Sequence, residues 1–249
     1  MQEEIFQYKI RTKKDKIPLV LLGDIHFGHN NTNVDKLNEY IQWIKKNQAF
    51  TILMGDLLET AIPTHIPQTM WSQRINPTDQ MDRIYELLEP IKDTIISSVC
   101  GNHELRIYNT TEIDVSKIIS DKLGCYYIKD GGFLQIKLND IMYNFAIFHG
   151  SGSSCNPRHQ LLKALNIWSD MDICALGHMH QLYDEVVWKY KIESDKKIKH
   201  PIHLIRTGGF LEYPDYAQRA FFPLANVGAP ILELYTKNKA IEVDTNGLQ

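Results

Sequence analysis

The sequence predicts an α/β protein in which two mixed β-sheets are flanked by helices. In the first half of the chain, short apolar runs alternate with amphipathic stretches, which is typical of this class. The second half is richer in strand-like runs. The 249 residues, 43% hydrophobic and 23% charged, are enough to form an ordinary globular core. No linker composition interrupts them, so we expect a single domain over residues 1–249.

Three buried strands alternate with three helices in the first half. Continuous apolar runs predict strands at residues 17–22, 50–54 and 95–100. Apolar positions with helical spacing predict helices at residues 34–46, 78–92 and 113–123. Asn33 is placed to cap the first helix, and Gly124 to end the third.

The second half predicts hairpins and one further helix. The strands are expected at residues 126–129 and 133–138 (a hairpin), 141–148, 172–176, 182–192, 200–206, 231–235 and 239–243 (the last two a hairpin). A helix is expected at residues 157–168, and a polar stretch at 193–199 is expected to join the two long strands. Residues 60–77 contain prolines and no clear period. Since structureless segments of this length are uncommon, we expect a loop near the site, either covering it or serving as a partner surface.

Composition excludes several classes of protein. The net charge of −3 does not suggest a strongly basic nucleic-acid binder. No apolar run approaches the roughly 18 residues of a membrane span, and the acidic start is unlike a signal peptide, so we expect a cytoplasmic protein without a membrane partner. The four cysteines form no CxxC pair and are expected to be reduced, buried thiols.

Five predicted strands are each followed at once by side chains that bind metals. The five places are Asp24-Ile25-His26, Gly55-Asp56, Gly101-Asn102-His103, His149 and Gly177-His178-Met179-His180. Ligands of α/β folds bind beyond the carboxyl ends of strands, so these remote residues can converge on one edge. A single histidine or Gly-Asp in such a place is more often structural. The five together predict a metal site.

In this order, the motifs Asp-x-His, Gly-Asp-x-x-Glu, Gly-Asn-His-Glu, a lone His and Gly-His-x-His resemble the calcineurin-like metallophosphoesterase family. The resemblance runs from Gly23 to His180 and implies a four-layer αββα sandwich holding two divalent metal ions. It implies that the first ion is bound by Asp24, His26, Asp56 and His180. It implies that the second is bound by Asp56, Asn102, His149 and His178, with Asp56 bridging the two.

The resemblance also implies the roles of residues beside the metals. His103 would act on the substrate by protonating the leaving oxygen. Glu59 stands where the family often has an acid that orients this histidine, although a solvated loop acid is the alternative. Asn102 would contact the substrate phosphate. Apart from the resemblance, the forked donors of Arg106 could also bind that phosphate, but a surface salt bridge is the favoured alternative. Arg74 and Arg158 are weaker candidates of the same kind.

The donor set of nitrogen and oxygen atoms without thiolate suits Mn, Fe, Zn or Ni, and we favour Mn. Two such ions can stabilise both the attacking and the leaving oxygens of a phosphate ester. Protein phosphatases of this superfamily have Gly-Asp-x-Val-Asp-Arg-Gly, and residues 55–61 lack that arginine. Gly-Asp-Leu-Leu-Glu and Gly-Asn-His-Glu resemble the phosphodiesterase and nuclease branch instead. The tail at residues 206–230 is similar to small phage and bacterial phosphoesterases.

We therefore expect a metal-dependent phosphoesterase that cleaves phosphodiester bonds, with DNA or RNA as the substrate. A phosphodiesterase for small or cyclic nucleotides is the main alternative, and a protein phosphatase or an inactive scaffold is less favoured. We interpret the basic clusters at residues 9–16 and 189–199 as charged residues exposed to solvent. No alternation of aromatic and basic residues marks a surface that would bind a nucleic-acid strand. The sequence leaves the oligomeric state open.

Overall fold

The computed structural model describes residues 5–63, 67–152, 156–167, 170–193, 195–212 and 227–248. In chain order its strands are β1 (Phe6–Ile10), β2 (Lys16–Leu22), β3 (Phe50–Leu53), β4 (Ile95–Ser98), β5 (Tyr126–Tyr127), β6 (Gly132–Leu138), β7 (Ile141–Phe148), β8 (Ile173–Leu176), β9 (Leu182–Glu193), β10 (Lys196–Thr207), β11 (Ile231–Tyr235) and β12 (Ile241–Asp244). Its α-helices are α1 (Val34–Asn47), α2 (Pro77–Leu88), α3 (Asn102–Thr111), α4 (Val115–Leu123) and α5 (Pro157–Ile167).

The strands form two six-stranded mixed sheets, which confirms the predicted fold class. One sheet has the order β12-β11-β2-β3-β4-β5, and the other has the order β1-β6-β7-β8-β10-β9. In the first sheet β2, β3, β4 and β5 are parallel, while β11 runs antiparallel to β2. In the second, β7, β8 and β10 are parallel. The carboxyl ends of these parallel strands position the candidate site.

Three apolar layers hold the sheets and helices together. The inner faces of the two sheets share a core that includes Leu21 and Ile52 on one side and Phe145 on the other. Residues of α1, α2 and α4 pack on the outer face of the first sheet. Residues of α5 pack on the outer face of the second. The order is therefore helix, sheet, sheet, helix, while the extent of the domain over residues 1–249 stays a prediction.

The structure corrects several predicted elements. The hairpin predicted from residues 126–129 and 133–138 is wrong, because β5 pairs with β4 in the other sheet and β6 pairs with β7. Helix α2 ends at Leu88, and Pro90 lies in the 3-10 helix that follows it, at Glu89–Thr94. Strand β1 and helix α3 were not predicted. β1 is short and runs into the basic cluster at residues 9–16, which was interpreted as solvated charge, and α3 begins inside a predicted metal-binding motif.

The segment at residues 60–77 contains a 3-10 helix at Pro67–Ser72 and packs beside the loop that follows β2. The amide of Asn30 donates to the carbonyl of Ser72 at 2.8 Å, and the amide of Arg74 donates to the carbonyl of Gly28 at 2.8 Å. Residues 64–66, 168 and the fourth cysteine, Cys155, lie outside the described residues. Within the described part of the chain, none of the helices has both the length and the apolar character needed to cross a membrane.

Candidate metal centre

All seven predicted metal ligands lie at one edge of the two sheets. Asp24 and His26 follow β2, Asp56 follows β3, Asn102 opens α3 after β4, His149 follows β7, and His178 and His180 follow β8. The chain reverses sharply at several of these positions, because a site at strand ends needs side chains that turn back toward one point. The residue types were visible in the sequence, and the parallel strands bring them together.

The first group comprises Asp24, His26 and His180. The Nε2 atoms of His26 and His180 are 3.0 Å apart, and His180 Nε2 is 3.4 Å from Asp24 Oδ1. Asp24 is buried, and both of its oxygens accept the backbone N–H of His178 at 3.0 and 2.9 Å. Burial alone would raise the pKa of Asp24, but the hydrogen bond and charge of His180 hold it below its usual value. These three donors lie close enough to share one ion.

The second group comprises Asp56, His149 and His178, with Asn102 between the two histidines. Asp56 Oδ2 is 3.2 Å from His149 Nε2. Asn102 Oδ1 lies 3.0 Å from that nitrogen and 2.7 Å from His178 Nδ1. Asp56 and the two histidines can also share one ion. Burial disfavours the imidazolium form of His149, but the Asp56 carboxylate outweighs this and raises the pKa of His149 to about 10.

Asp56, a member of the second group, also faces the first group. Its Oδ2 is 3.7 Å from His26 Nε2 in addition to its contact with His149, while its Oδ1 accepts the backbone N–H of His103 at 2.8 Å. Burial favours the protonated acid, yet His149 and His103 hold the pKa of Asp56 well below its usual value. This carboxylate therefore stays charged and faces both sets of donors.

Strained backbone accompanies the site. The backbone of five predicted ligands is left-handed, with φ of 49° at Asp24, 50° at His26, 47° at Asp56, 71° at His178 and 51° at His180. Such a conformation costs about 1–3 kcal/mol per residue and persists only where the surrounding structure enforces it. These positions therefore indicate a site built for function.

Two glycines let the strand ends approach each other. A Cβ on Gly101 would lie 2.0 Å from the amide nitrogen of Asp56 and 2.1 Å from its Oδ1. Gly55 has φ +84°, and a Cβ there would lie 2.8 Å from His149 Nδ1. No side chain fits in either space, so both glycines are needed to bring Asp56 to the other donors.

In three histidines, a hydrogen bond from one ring nitrogen orients the lone pair of the other nitrogen toward the cluster of predicted ligands. Each ring donates one N–H away from the cluster and leaves the other nitrogen facing it. The pairs are His26 Nδ1 to Glu59 Oε2 at 3.2 Å, His149 Nδ1 to the Met54 carbonyl at 2.9 Å, and His178 Nε2 to the Gly152 carbonyl at 3.0 Å. Such outward anchoring is typical of metal-binding histidines.

The charge balance of the site also fits divalent cations. Asp24, Asp56 and Glu59 are all at most 2% exposed. Among the described residues no lysine or arginine nitrogen lies within 4.0 Å of their carboxylates, whose ion-pair partners are histidines. Buried carboxylates need counter-charges. The carboxylates raise the pKa of His149 and His103, so protons on these rings supply that charge here, and bound divalent cations would replace them. The residues present therefore suit bound metal ions.

Glu59 is buried between two histidines, so the alternative of a solvated loop acid is wrong. Its Oε2 lies 3.2 Å from His26 Nδ1 and 3.3 Å from His103 Nδ1. His103 also donates Nδ1–H to the Glu59 backbone carbonyl at 2.8 Å. Burial favours neutral imidazole, but Asp56 and Glu59 outweigh it and raise the pKa of His103. The geometry is that of an acid orienting a histidine.

Arg106 lies beside His103 and is 8% exposed, so the alternative of a surface salt bridge is wrong. Its Nη2 donates to His103 Nε2 at 2.8 Å. Its Nη1 is buried without a hydrogen-bond partner among the described residues. The two weaker candidates are engaged elsewhere: Arg74 donates to Asn30, and Arg158 pairs with Glu185 at 2.7 Å.

Sequence reasoning missed Glu104, which ties two of the motifs together. This residue is 1% exposed and accepts backbone N–H groups of Gly101 at 3.1 Å, Asp56 at 3.2 Å and Leu58 at 2.8 Å. Burial and the neighbouring Asp56 charge raise its pKa to about 7. Its position in the first turn of α3 was the available signal, since an acid three residues after a helix cap often accepts backbone N–H groups.

Arg206 lies behind the metal ligands and donates hydrogen bonds to the segments around them. Sequence reasoning also missed this residue. It is 1% exposed and donates to the carbonyls of Gly177 and Pro157 and to Gln160 Oε1, each at 3.0 Å. Burial lowers its pKa to about 10. The guanidinium fixes the turn that presents His178. An arginine at the end of a buried strand was the signal in the sequence.

Comparison with known proteins agrees with this geometry. The family model of the calcineurin-like phosphoesterases matches residues 17–200. No curated protein sequence matches the chain. Because the family match covers most of the chain, it is the comparison that decides membership.

Three solved structures are similar to this chain at low sequence identity. A predicted phosphoesterase from Streptococcus pneumoniae is 13% identical, with a TM-score of 0.43 over 93% of this chain and 90% of that one. Vps29 from Entamoeba histolytica in complex with zinc is 11% identical, with a TM-score of 0.45 over 92% and 97% of the two chains. Vacuolar protein sorting 29 from Cryptosporidium parvum is 14% identical, with a TM-score of 0.46 over 93% and 97%. The sequence match over residues 17–200 assigns the chain to the calcineurin-like phosphoesterase family, and the protein is a metal-dependent phosphoesterase.

Proposed function

We propose that this phosphoesterase cleaves phosphodiester bonds, with nucleic acid as its preferred substrate, and that it uses two divalent ions, Mn²⁺ by preference. The ligands of one ion are Asp24, His26, Asp56 and His180; those of the other are Asp56, Asn102, His149 and His178. When bound, the ions would supply positive charge that stabilises the attacking and leaving oxygens of the ester.

The observation that carries this proposal is the position of Asp56. Its Oδ2 is within 3.7 Å of His26 Nε2 and 3.2 Å of His149 Nε2, so one carboxylate faces both donor groups. Both distances are measured from the same oxygen, Oδ2, which would therefore serve both ions. The group of Asp24, His26 and His180 on one side of the site supports one ion. Asp56 itself, with His149 and His178, supports a second.

His103 would act as the general acid toward the leaving oxygen. Glu59 holds Nδ1 of His103, which leaves Nε2 as the atom that would face the substrate. In the described geometry Arg106 donates to that Nε2. A phosphate oxygen is a better acceptor for the guanidinium, so substrate binding would draw Arg106 away from His103. Nε2 would then be free to take up a proton from solvent and pass it to the leaving oxygen.

The fixed cations at the site support a diester rather than a monoester. Among the described residues, Arg106 is the guanidinium beside His103, whereas Arg74 and Arg206 are held by other groups. A monoester dianion would favour several fixed cations, while a diester monoanion needs fewer. The alkoxide that leaves from a diester also gains most from a general acid such as His103. Asn102, next to His103, is placed to contact the same phosphate.

Hydrolysis of two chromogenic esters tests the diesterase proposal. With Mn²⁺ present, bis(p-nitrophenyl) phosphate should be cleaved with a higher kcat/KM than p-nitrophenyl phosphate. A preference for the monoester would overturn the proposal. Nucleic acid and a cyclic nucleotide are then compared at increasing salt, because cleavage of a polyanion should weaken steeply as salt rises. Salt-insensitive turnover of the cyclic nucleotide would favour a small-nucleotide phosphodiesterase instead.

A further inference from the structure

The hairpin of β9 and β10 extends well beyond the rest of its sheet. The two strands pair along twelve residues each, but β8 covers only His203–Arg206 of β10. β9 is the last strand of this sheet in the described part of the chain. We call residues 186–192 together with residues 197–203 the outer ribbon. It carries the second basic cluster of the sequence, which the catalytic site does not use.

One face of the outer ribbon is a row of exposed apolar side chains. Alternate residues of a strand share a face, and here these are Val186, Trp188, Tyr190 and Ile192, with exposures of 39%, 63%, 60% and 83%. Isolated apolar residues on a surface need no explanation, but a contiguous row of this kind marks a binding surface. The two aromatic rings lie two residues apart in the middle of the row.

Lysines from the partner strand lie within the same row. The register places Lys199 opposite Tyr190 and Lys197 opposite Ile192, and directly opposed residues of an antiparallel pair share a face. The Lys197 ammonium is 3.7 Å from the centre of the Tyr190 ring. The expectation that no aromatic-basic alternation exists is therefore wrong. Residues 188–191 alternate aromatic and basic residues along β9, but the lysines that share a face with the rings come from β10.

The other lysines of the hairpin face the opposite way. Lys189 donates to the carbonyl of Leu165 at 2.9 Å, and Lys191 pairs with Asp170. By contrast, the ammonium groups of Lys197 and Lys199 lie beyond 4.0 Å of every carboxylate among the described residues. The acid that borders this face, Asp184, contacts His203 at 3.3 Å, at the end away from these lysines. The exposed face is thus aromatic and positively charged.

We propose that this face binds single-stranded nucleic acid by stacking bases on Trp188 and Tyr190 and pairing phosphates with Lys197 and Lys199. Aromatic rings supply stacking surfaces for any base, and neighbouring lysines neutralise the backbone. The choice of ligand rests on the proposed function at the metal centre. The positive charge of this face complements a polyanion.

The exposed face of the outer ribbon, here called the platform, lies further along β9 from the metal centre. Trp188 is eight residues from His180, which corresponds to about 25 Å along an extended strand. A nucleic-acid strand that touches both must span this distance, and a dinucleotide is too short. The platform would therefore add affinity for long substrates and leave the chemistry of small esters unchanged.

Binding to the metal-free, full-length protein tests the platform separately from hydrolysis. Fluorescence anisotropy of labelled single-stranded DNA and RNA, in EDTA, is measured against duplex DNA of the same length. The wild type should prefer single strands, because paired bases cannot stack on the ribbon. Trp188→Ala should weaken binding about 10-fold or more. Lys197→Ala/Lys199→Ala should weaken it and lower the slope of log affinity on log salt by up to about 1.4.

Matched variants control for loss of an exposed ring and of two charges. Tyr126→Ala removes an aromatic ring that is 40% exposed on β5, in the other sheet, and Lys45→Ala/Lys46→Ala removes two exposed lysines from α1. Both should bind like the wild type, and circular dichroism should report native folding of every variant. Equal affinity of Trp188→Ala and wild type, or the absence of single-strand binding, would overturn the proposal. So would sedimentation showing a dimer that Trp188→Ala dissociates while nucleic-acid binding is unchanged.

The outcomes separate this proposal from the proposed function. Cleavage of bis(p-nitrophenyl) phosphate does not involve the ribbon, so Trp188→Ala should retain it. A protein that cleaves this ester but binds no nucleic acid refutes the platform alone. A protein that binds single strands through Trp188 but cleaves no diester refutes the proposed substrate chemistry and leaves the platform standing.

Discussion

The metal centre lies at an edge shared by both sheets, whereas the outer ribbon belongs to the second sheet alone, and the two regions are built in opposite ways. At the metal centre, carboxylates are buried and the backbone of five residues is left-handed. On the ribbon, aromatic side chains are exposed and the two strands keep an uninterrupted register. At the metal centre, strained backbone lowers folding stability but fixes the positions of the side chains. On the ribbon, exposed side chains project from a regular strand pair and need no strain. Substitutions at the centre should therefore affect turnover, and those on the ribbon only affinity.

The largest expected effect comes from Asp56→Asn. The change weakens both donor groups at once, so kcat should fall by about 10³-fold or more. It should also abolish the rise in melting temperature that Mn²⁺ gives to the wild type, since ligands that bind the native state stabilise it. Steady-state kinetics and thermal unfolding with and without EDTA measure both effects.

Asp172→Asn is the matched control for Asp56→Asn. Asp172 is also buried, but it pairs with Lys239 and His200 away from the metal centre. This variant should keep its Mn²⁺-dependent stabilisation and most of its activity. Equal losses in the two variants would mean that removal of any buried carboxylate is damaging, which would contradict a special role for Asp56.

His103→Ala should retain the metal ions and lose about 10²–10⁴-fold in turnover, because it removes a general acid and no predicted ligand. The loss should be smaller for p-nitrophenyl esters than for alkyl esters, whose leaving groups need a proton. Metal analysis of the purified variant and kinetics on both ester types provide the measurement. A loss of bound metal would show that His103 is a ligand. His159→Ala, an exposed histidine on α5, is the control.

Arg106→Ala should have an intermediate effect. A hydrogen bond from a charged donor is worth about 1.5–3 kcal/mol, so kcat/KM should fall about 10–100-fold, largely through KM. Arg74→Ala removes an arginine that donates to Asn30 and should leave kcat/KM unchanged. An Arg106→Ala variant with wild-type KM would rule out contact between this guanidinium and the phosphate.

The smallest effect is expected for Cys100→Ala. Cys100 directly precedes Gly101 at the metal edge, yet burial, with the nearby charge of Glu104, raises the pKa of its thiol to about 12. It therefore stays protonated near pH 8 and is neither a thiolate ligand nor a nucleophile. The variant should keep native metal content and activity, and alkylation of native Cys100 by iodoacetamide should be slow. Rapid alkylation would contradict this assignment.

The two regions also differ in how far the sequence predicts them. The metal-binding residues follow strand ends, so short motifs such as Asp24-Ile25-His26 are visible along the chain. The buried partners Glu104 and Arg206 were missed, because a charged residue on a helix or strand normally faces solvent and only tertiary packing shows otherwise. The ribbon face was missed because Tyr190 and Lys199 meet only through strand register. Local patterns thus predict elements and ligands, while contacts across strands require the fold.

The hairpin predicted at residues 126–138 failed for a related reason. A Gly-Gly turn between two apolar runs is a strong local signal for a hairpin. Here Tyr126–Tyr127 instead extends the parallel edge beside β4, and Gly132 begins a strand of the other sheet. The choice between the two pairings depends on sheet packing, which the local sequence does not encode.

The central claim is that two divalent ions share Asp56. Elemental analysis of the active, Mn²⁺-loaded protein after removal of free metal tests it most directly, together with activity measured as Mn²⁺ is added back to the metal-free chain. We predict about two bound ions per chain at full activity, as the paired donor groups require. A fully active protein with one ion per chain or fewer would contradict the account.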